Sequence, residues 1–132
     1  MLLNIQNGGK SAPVSSANNP QITPAGLLQV RELYEEDQAL FVDARETSAF
    51  VAAHIHKAVS LPLAEFDRKL PEFRKKNDPS KLFVVYCSGY GCHDSRLLAE
   101  KLLKAGYEKV LVFEGGLPEW KDAGLPVEGT DK

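Results

Sequence analysis

Apolar residues fall along this chain in short unbroken runs, separated by stretches in which they recur every three or four positions. ALFV (39–42), AVSLP (58–62), LFVVY (82–86) and VLVFE (110–114) are such runs, and runs of this length without polar alternation mark strands buried on both faces. The intervening stretches carry helical periodicity. Leu27, Val30, Leu33 and Tyr34 line one side of a helix. Ahead of it Ile22 and Thr23 can add a very short strand, Thr23 is a candidate cap, and Pro24 suits a first helical position. Ala49, Phe50 and Ala53 predict a short helix within ETSAFVAAH (46–54), after which His54–Lys57 breaks the pattern. Leu63, Phe66, Leu70 and Phe73 stand at helical intervals, but Pro71 interrupts them and predicts two short helices joined by a turn. Leu98, Leu102 and Ala105 predict a helix over 95–105, capped by Asp94 or Ser95 and stopped at Gly106. LPEWKDAG closes the pattern as a short helix ending at Gly124.

Apolar strands alternating with helices predict an α/β domain with a parallel sheet covered on both faces. In such folds ligands bind beyond the carboxyl ends of the strands. Asp43 to Arg45, Cys87 and Gly115–Gly116 all fall at predicted strand carboxyl ends, so the three should converge on one site.

The stretch with the most chemistry is CSGYGCH (87–93), between the third long apolar run and the helix at 95–105. A strand that turns through small residues into a helix aims N–H groups and the positive end of the helix dipole at the loop. A thiol placed there has a pKa of roughly 3.5 to 7.5 rather than about 8.5. Cys87 thus reads as a nucleophile cradled by the amides of Ser88, Gly89, Tyr90, Gly91, Cys92 and His93. The competing reading is a small buried residue ending a core strand. Cys92 is either an incidental small residue or a partner that closes a disulfide with Cys87, if the two Cα atoms come within about 7 Å. His54, His56, Cys87, Cys92 and His93 include soft ligands enough for a metal site. Adjacent Cys92 and His93 would struggle to face one ion, so no metal or other cofactor is expected.

Composition narrows the remaining choices. The chain has 132 residues, 43% hydrophobic and 26% charged, with a net charge of −2. This suits one domain with an ordinary core and provides no global basic field for nucleic acid or an anionic membrane. The basic run RKLPEFRKKN (68–77) reads as the solvated face of a surface helix. No run reaches the roughly 20 apolar residues that span a bilayer, and MLLNIQNGGK lacks the features of a signal peptide. The compartment stays open: the chain as written reads as soluble and cytoplasmic, or periplasmic if an upstream signal has been removed. QNGGKSAPVSSANNP (6–20) has a linker's composition. The expected organisation is a flexible tail over 1–20, a domain over 21–128 and a short tail over 129–132.

From about Gln21 to Val127 the sequence resembles a single rhodanese domain. VDARETSAFVAAHI (42–55) is similar to the family's first signature, with an acidic residue, an Arg one spacer on, a short helix and then His-Ile. VVYC (84–87) resembles the strand that leads to the nucleophilic cysteine. EGGLPEWKDAGLPV (114–127) is similar to the carboxyl-terminal signature, with paired glycines, a Trp and a Gly-x-Pro-Val ending. The resemblance implies a five-stranded parallel sheet flanked by helices, and a sulfurtransferase in which Cys87 carries a sulfane sulfur as a persulfide. Asp43 and Arg45 would then support the neighbouring strand end. The implied partners are a small-molecule sulfur donor such as thiosulfate or a persulfide, and a thiol, cyanide or protein cysteine as acceptor.

The loop departs from the family pattern, Cys-x-x-Gly-x-Arg followed by Ser. With Ser95 as that Ser, the loop is two residues longer, Cys92 stands five after Cys87, and Asp94 precedes Ser95. Arg96, one residue inside the helix, is the remaining arginine that could fold back over the loop. A missing cation and an added acid weaken thiosulfate binding. Related phosphatases and arsenate reductases need Cys-x5-Arg, where this chain has His93, so that reading is weak. Two further readings compete with the sulfurtransferase: a redox or sulfur-sensing module in which Cys92, as a resolving cysteine, attacks a Cys87 persulfide, releases sulfide and leaves a Cys87–Cys92 disulfide, and a sulfur-delivery domain working only with a partner. His54 stands where the family has a structural His, and His56–Lys57 where Pro-Gly is usual. Trp120 is expected in the core, and Tyr90 at the loop tip.

Overall fold

The computed structural model describes residues 22–131. The expected tail over 1–20, and Gln21 as the expected start of folded structure, lie outside the described residues. Five strands form one parallel sheet: β1 (Thr23–Ala25), β2 (Leu40–Asp43), β4 (Val59–Ser60), β5 (Leu82–Tyr86) and β6 (Lys109–Phe113), in the order β1-β6-β5-β2-β4. β5 lies at the centre, paired with β2 on one side and β6 on the other.

Side chains alternate across this sheet and build two cores. On one face Val42, Phe83, Val85, Val110 and Val112 meet Phe66 and Phe73 of α3 (Phe66–Lys76) and Leu98, Ala99 and Leu102 of α4 (Asp94–Lys104). On the other, Phe41, Val84, Tyr86 and Phe113 meet Val30 of α1 (Leu27–Glu35) and Leu117 and Trp120 of α5 (Gly116–Asp122). Phe50 of α2 (Thr47–Ala52) packs against this second core. Doubly covered strands have no solvent side, which is why their sequences are apolar throughout. No helix among the described residues is long and apolar enough to cross a membrane.

The structure corrects four local expectations. Thr23 and Pro24 lie in β1 rather than starting a helix, and α1 begins after Gly26. Pro24 is tolerated because β1 is an edge strand, paired only with β6. Pro71 does not divide its segment: a 3-10 turn (Leu63–Glu65) leads into one continuous α3. Burial of Phe66 and Phe73 on one face holds that helix together, while Pro71 and Asp67, whose carbonyl loses its partner, are exposed to water. His54–Lys57 is not merely a break: β3 (His54–Ile55) pairs antiparallel with β7 (Val127–Glu128). Residues 129–131 are not free, since the amides of Thr130 and Asp131 donate to the carbonyls of Val51 and Ala52 at 3.0 and 2.8 Å. The basic run is the outer side of α3, where Arg68 and Lys69 meet Glu65 and Lys76 meets Glu72.

Candidate active site

Cys87 directly follows β5, so the centre of the sheet sets its position, and its side chain is 2% exposed. The loop after it turns at Gly89 (φ 127°), and the Cys92 amide donates to the Gly89 carbonyl at 3.0 Å. Among the described residues, the backbone amides of Ser88, Gly89, Tyr90, Gly91 and His93 have no hydrogen-bond acceptor. α4 starts immediately afterwards, with His93 at its cap position, and adds the positive end of its dipole. Ser95, buried in the first turn, places Oγ 3.4 Å from Cys87 Sγ.

Cys87 and Cys92 are joined by a disulfide, their Cα atoms 6.5 Å apart. A disulfide sulfur carries no proton, so the Ser95 hydroxyl is the donor in that contact. The lengthened loop thus brings the two thiols together. Arg96 does not reach over the loop: it pairs with Glu114 at 3.2 Å on the surface. Asp94 opens α4 where its charge complements the dipole. Tyr90 is 71% exposed at the loop tip and donates to Glu119 Oε1 at 3.4 Å. The negative charge of Glu119 holds its phenol above the ordinary tyrosine value.

Gly116 explains why the second glycine follows β6. Its φ is +63°, and a Cβ there would meet the Cys87 carbonyl oxygen at 2.5 Å and the Gly89 nitrogen at 2.7 Å. The α5 start therefore lies flush against the cysteine loop, and Leu117 N–H donates to the Cys87 carbonyl at 3.1 Å.

Asp43 and Arg45 brace the neighbouring strand end. Asp43 is fully buried and accepts from Arg45 Nε at 3.0 Å, Nη2 at 2.7 Å and the Arg45 backbone amide at 2.9 Å. Arg45, its side chain 14% exposed, also donates to the Ala53 carbonyl at 2.6 Å. Burial alone would lower the Arg45 pKa, but the hydrogen bonds and charge of Asp43 outweigh it and hold the guanidinium above its ordinary value. Asp43 is thus a support for Arg45.

A groove of about 290 Å³ opens beside the loop, lined by Arg45, Ser88, Leu117, Pro118, Lys121 and Asp122. Its α5 wall carries no chemical signal in the sequence, because Lys121 and Asp122 lie inside the carboxyl-terminal signature without being among the residues that mark it, and reach Ser88 only through the fold. His54 and His56 lie away from the loop that carries His93. His54 contacts the Phe50 carbonyl at 2.6 Å and Glu128 at 3.3 Å, and His56 contacts the Tyr34 hydroxyl at 2.7 Å. Among the described residues no three of His, Cys, Asp and Glu are placed to hold a metal ion.

The family model described as rhodanese-like domain matches residues 27–123. The chain belongs to the rhodanese-like domain family. An uncharacterized protein of Synechocystis is 37% identical over 117 residues, covering 88% of this chain and 60% of that protein. The thiosulfate sulfurtransferase GlpE of Coxiella burnetii is 31% identical over 94 residues, covering 71% of this chain and 82% of that protein. The solution structure of the rhodanese-like domain of Alr3790 from Anabaena has a TM-score of 0.69 at 25% identity, covering 84% of this chain and 82% of that one. This rhodanese-like domain also spans 49% of a transcriptional regulator of Mycobacterium tuberculosis, so the first curated relatives are considerably longer than the part they share with it. The relatives thus include a protein named as a thiosulfate sulfurtransferase and one named as a transcriptional regulator.

Proposed function

We propose that this rhodanese-like domain is a sulfurtransferase that moves a sulfane sulfur through a persulfide on Cys87. The observation that carries the reading is the seat of Cys87: the end of the central strand, followed by a loop whose amides have no acceptor within the described protein and then by a helix start. A persulfide is an anion, and amide donors with a helix N-terminus stabilise it without a cationic side chain. In its dithiol form, the Cys87 thiolate attacks the sulfane sulfur of a donor, the donor's remainder leaves, and an acceptor removes the outer sulfur in a second displacement.

The donor class follows from charge. Arg96 is held by Glu114 and Asp94 adds an acid at the helix start, so no arginine closes over the loop to hold the oxygens of thiosulfate, whose charge lies beside the reacting sulfur, whereas the carboxylates of a small-thiol persulfide lie farther from theirs. Persulfides of small thiols are the better donors, entering past Ser88 with Lys121 and Arg45 on the groove wall. A small thiol, or a cysteine on a partner protein, is the acceptor. The test is intact-mass and peptide analysis of reduced protein after glutathione persulfide or thiosulfate. The expected result is gain of one sulfur on the peptide carrying Cys87, less of it from thiosulfate, and none in Cys87→Ser. Equal sulfur uptake by Cys87→Ser overturns the proposal.

A further inference from the structure

The disulfide places a second sulfur nucleophile on the carrier atom itself. Cys87 Sγ is divalent: beyond its own Cβ it bonds either a transferred sulfur or Cys92 Sγ, and the structure holds the second of these. Both arrangements use one loop, with Gly89 at positive φ and Gly91 free of neighbours that a Cβ would touch. From the Cys87 persulfide, Cys92 therefore needs no rearrangement of the sheet to reach bonding distance.

We infer that Cys92 is a resolving thiol, and that the domain has a second activity: releasing the carried sulfur as sulfide at the expense of thiols. The inference rests on Cys87 being the persulfide carrier. In the step, the Cys92 thiolate attacks Cys87 Sγ, the inner sulfur of the persulfide. The Cys87–Cys92 bond forms, the bond from Sγ to the outer sulfur breaks, and its electron pair leaves with the outer sulfur, which takes up the proton given up by the Cys92 thiol and departs as hydrosulfide. Two equivalents of a thiol then reduce the disulfide through a mixed disulfide and are themselves oxidised to a disulfide. The net reaction converts a sulfane sulfur and two thiols into sulfide and one disulfide.

Burial decides between the two fates of the sulfur. The inner Sγ belongs to a side chain that is 2% exposed, closed in by Ser95 on α4 and by the loop. An acceptor from solution meets the outer sulfur, and its attack there is transfer. Cys92 comes from within the loop and meets the inner sulfur, and its attack there is release. Being intramolecular, that attack has the advantage of proximity over any dissolved thiol at the same atom. The Ser95 hydroxyl donates to Cys87 Sγ in the disulfide form and is placed to stabilise the thiolate when the bond is reduced.

The experiment uses reduced, desalted full chain and glutathione persulfide as the probe, with any excess removed at once. Sulfide trapped as its bimane derivative and non-reducing intact mass are followed together. Wild type is expected to release one sulfide per carried sulfur without added thiol and to end two hydrogens lighter than the reduced chain. Cys92→Ser and Cys92→Ala are expected to keep the added sulfur on the Cys87 peptide, releasing sulfide about tenfold or more slowly. Wild type that retains the sulfur overturns the inference while leaving the carrier intact. Equal sulfide release by all three proteins, or sulfur recovered on the Cys92 peptide, overturns it likewise. If no protein takes up sulfur or yields sulfide, the carrier reading itself fails, and the resolving step with it.

Discussion

Single residues account for much of the site's accuracy. Gly116 is the clearest case, because its missing Cβ leaves space for the Cys87 carbonyl and the Gly89 amide. Gly116→Ala is expected to cost about 2–3 kcal/mol in stability, from a forced positive φ and a backbone clash. It should also reduce sulfur uptake in mass analysis, through displacement of the cysteine loop. Lys57 shows the reverse situation. It adopts φ 73° in the turn between β3 and β4, a left-handed conformation that suits Gly better than a residue with a Cβ. Lys57→Gly should raise stability by about 1 kcal/mol, seen as a higher denaturant midpoint with an unchanged slope. The Cys87 loop could be picked out of the sequence as a candidate site because its residue types carry chemistry in themselves, and the structure adds the disulfide between Cys87 and Cys92. The groove wall could not be picked out, since Lys121 and Asp122 gain meaning only from packing α5 beside Ser88.

At the level of elements, uninterrupted apolar runs revealed β2, β5 and β6 within a residue or so, and helical periodicity revealed α1 and α4. β3 and β7 escaped because each is two residues long, too short for any period. Their pairing has a purpose visible in the structure. It sets the chain beside α2, whose end supplies the Ala53 carbonyl to Arg45, and Trp120 Nε1–H donates to Pro126 just before β7 at 2.8 Å. α3 departs from its local pattern for a different reason: Pro71 weighs heavily in local reasoning, but two buried phenylalanines weigh more. The cost of that proline persists in the folded state. Pro71→Ala restores a backbone hydrogen bond on a solvent-facing turn and is expected to stabilise the protein by about 1–3 kcal/mol, read as a higher melting temperature.

Across the whole molecule, the second core carries an alkaline liability. Tyr86 is fully buried on the central strand, and its hydroxyl accepts from the Ile55 amide at 3.0 Å. Burial first, and the charge of Asp43 next, push its phenol far above the ordinary value of 10.0. Burial likewise raises Tyr34 and Tyr107. The folded state keeps these protons while the unfolded chain releases them, so stability is intact below about pH 10 and falls as pH rises beyond it. Tyr86→Phe should flatten that alkaline decline in a pH series of melts. At neutral pH it should cost about 1–3 kcal/mol, because the Ile55 amide loses its acceptor. The strand order also fixes a timetable for biosynthesis. β1, the first strand described, pairs only with β6, and β5 has a bare edge until β6 arrives. A ribosome must therefore release almost the whole domain before its sheet can close. Until then the nascent chain presents an apolar β5 with unpaired backbone groups, the kind of surface that chaperones shield.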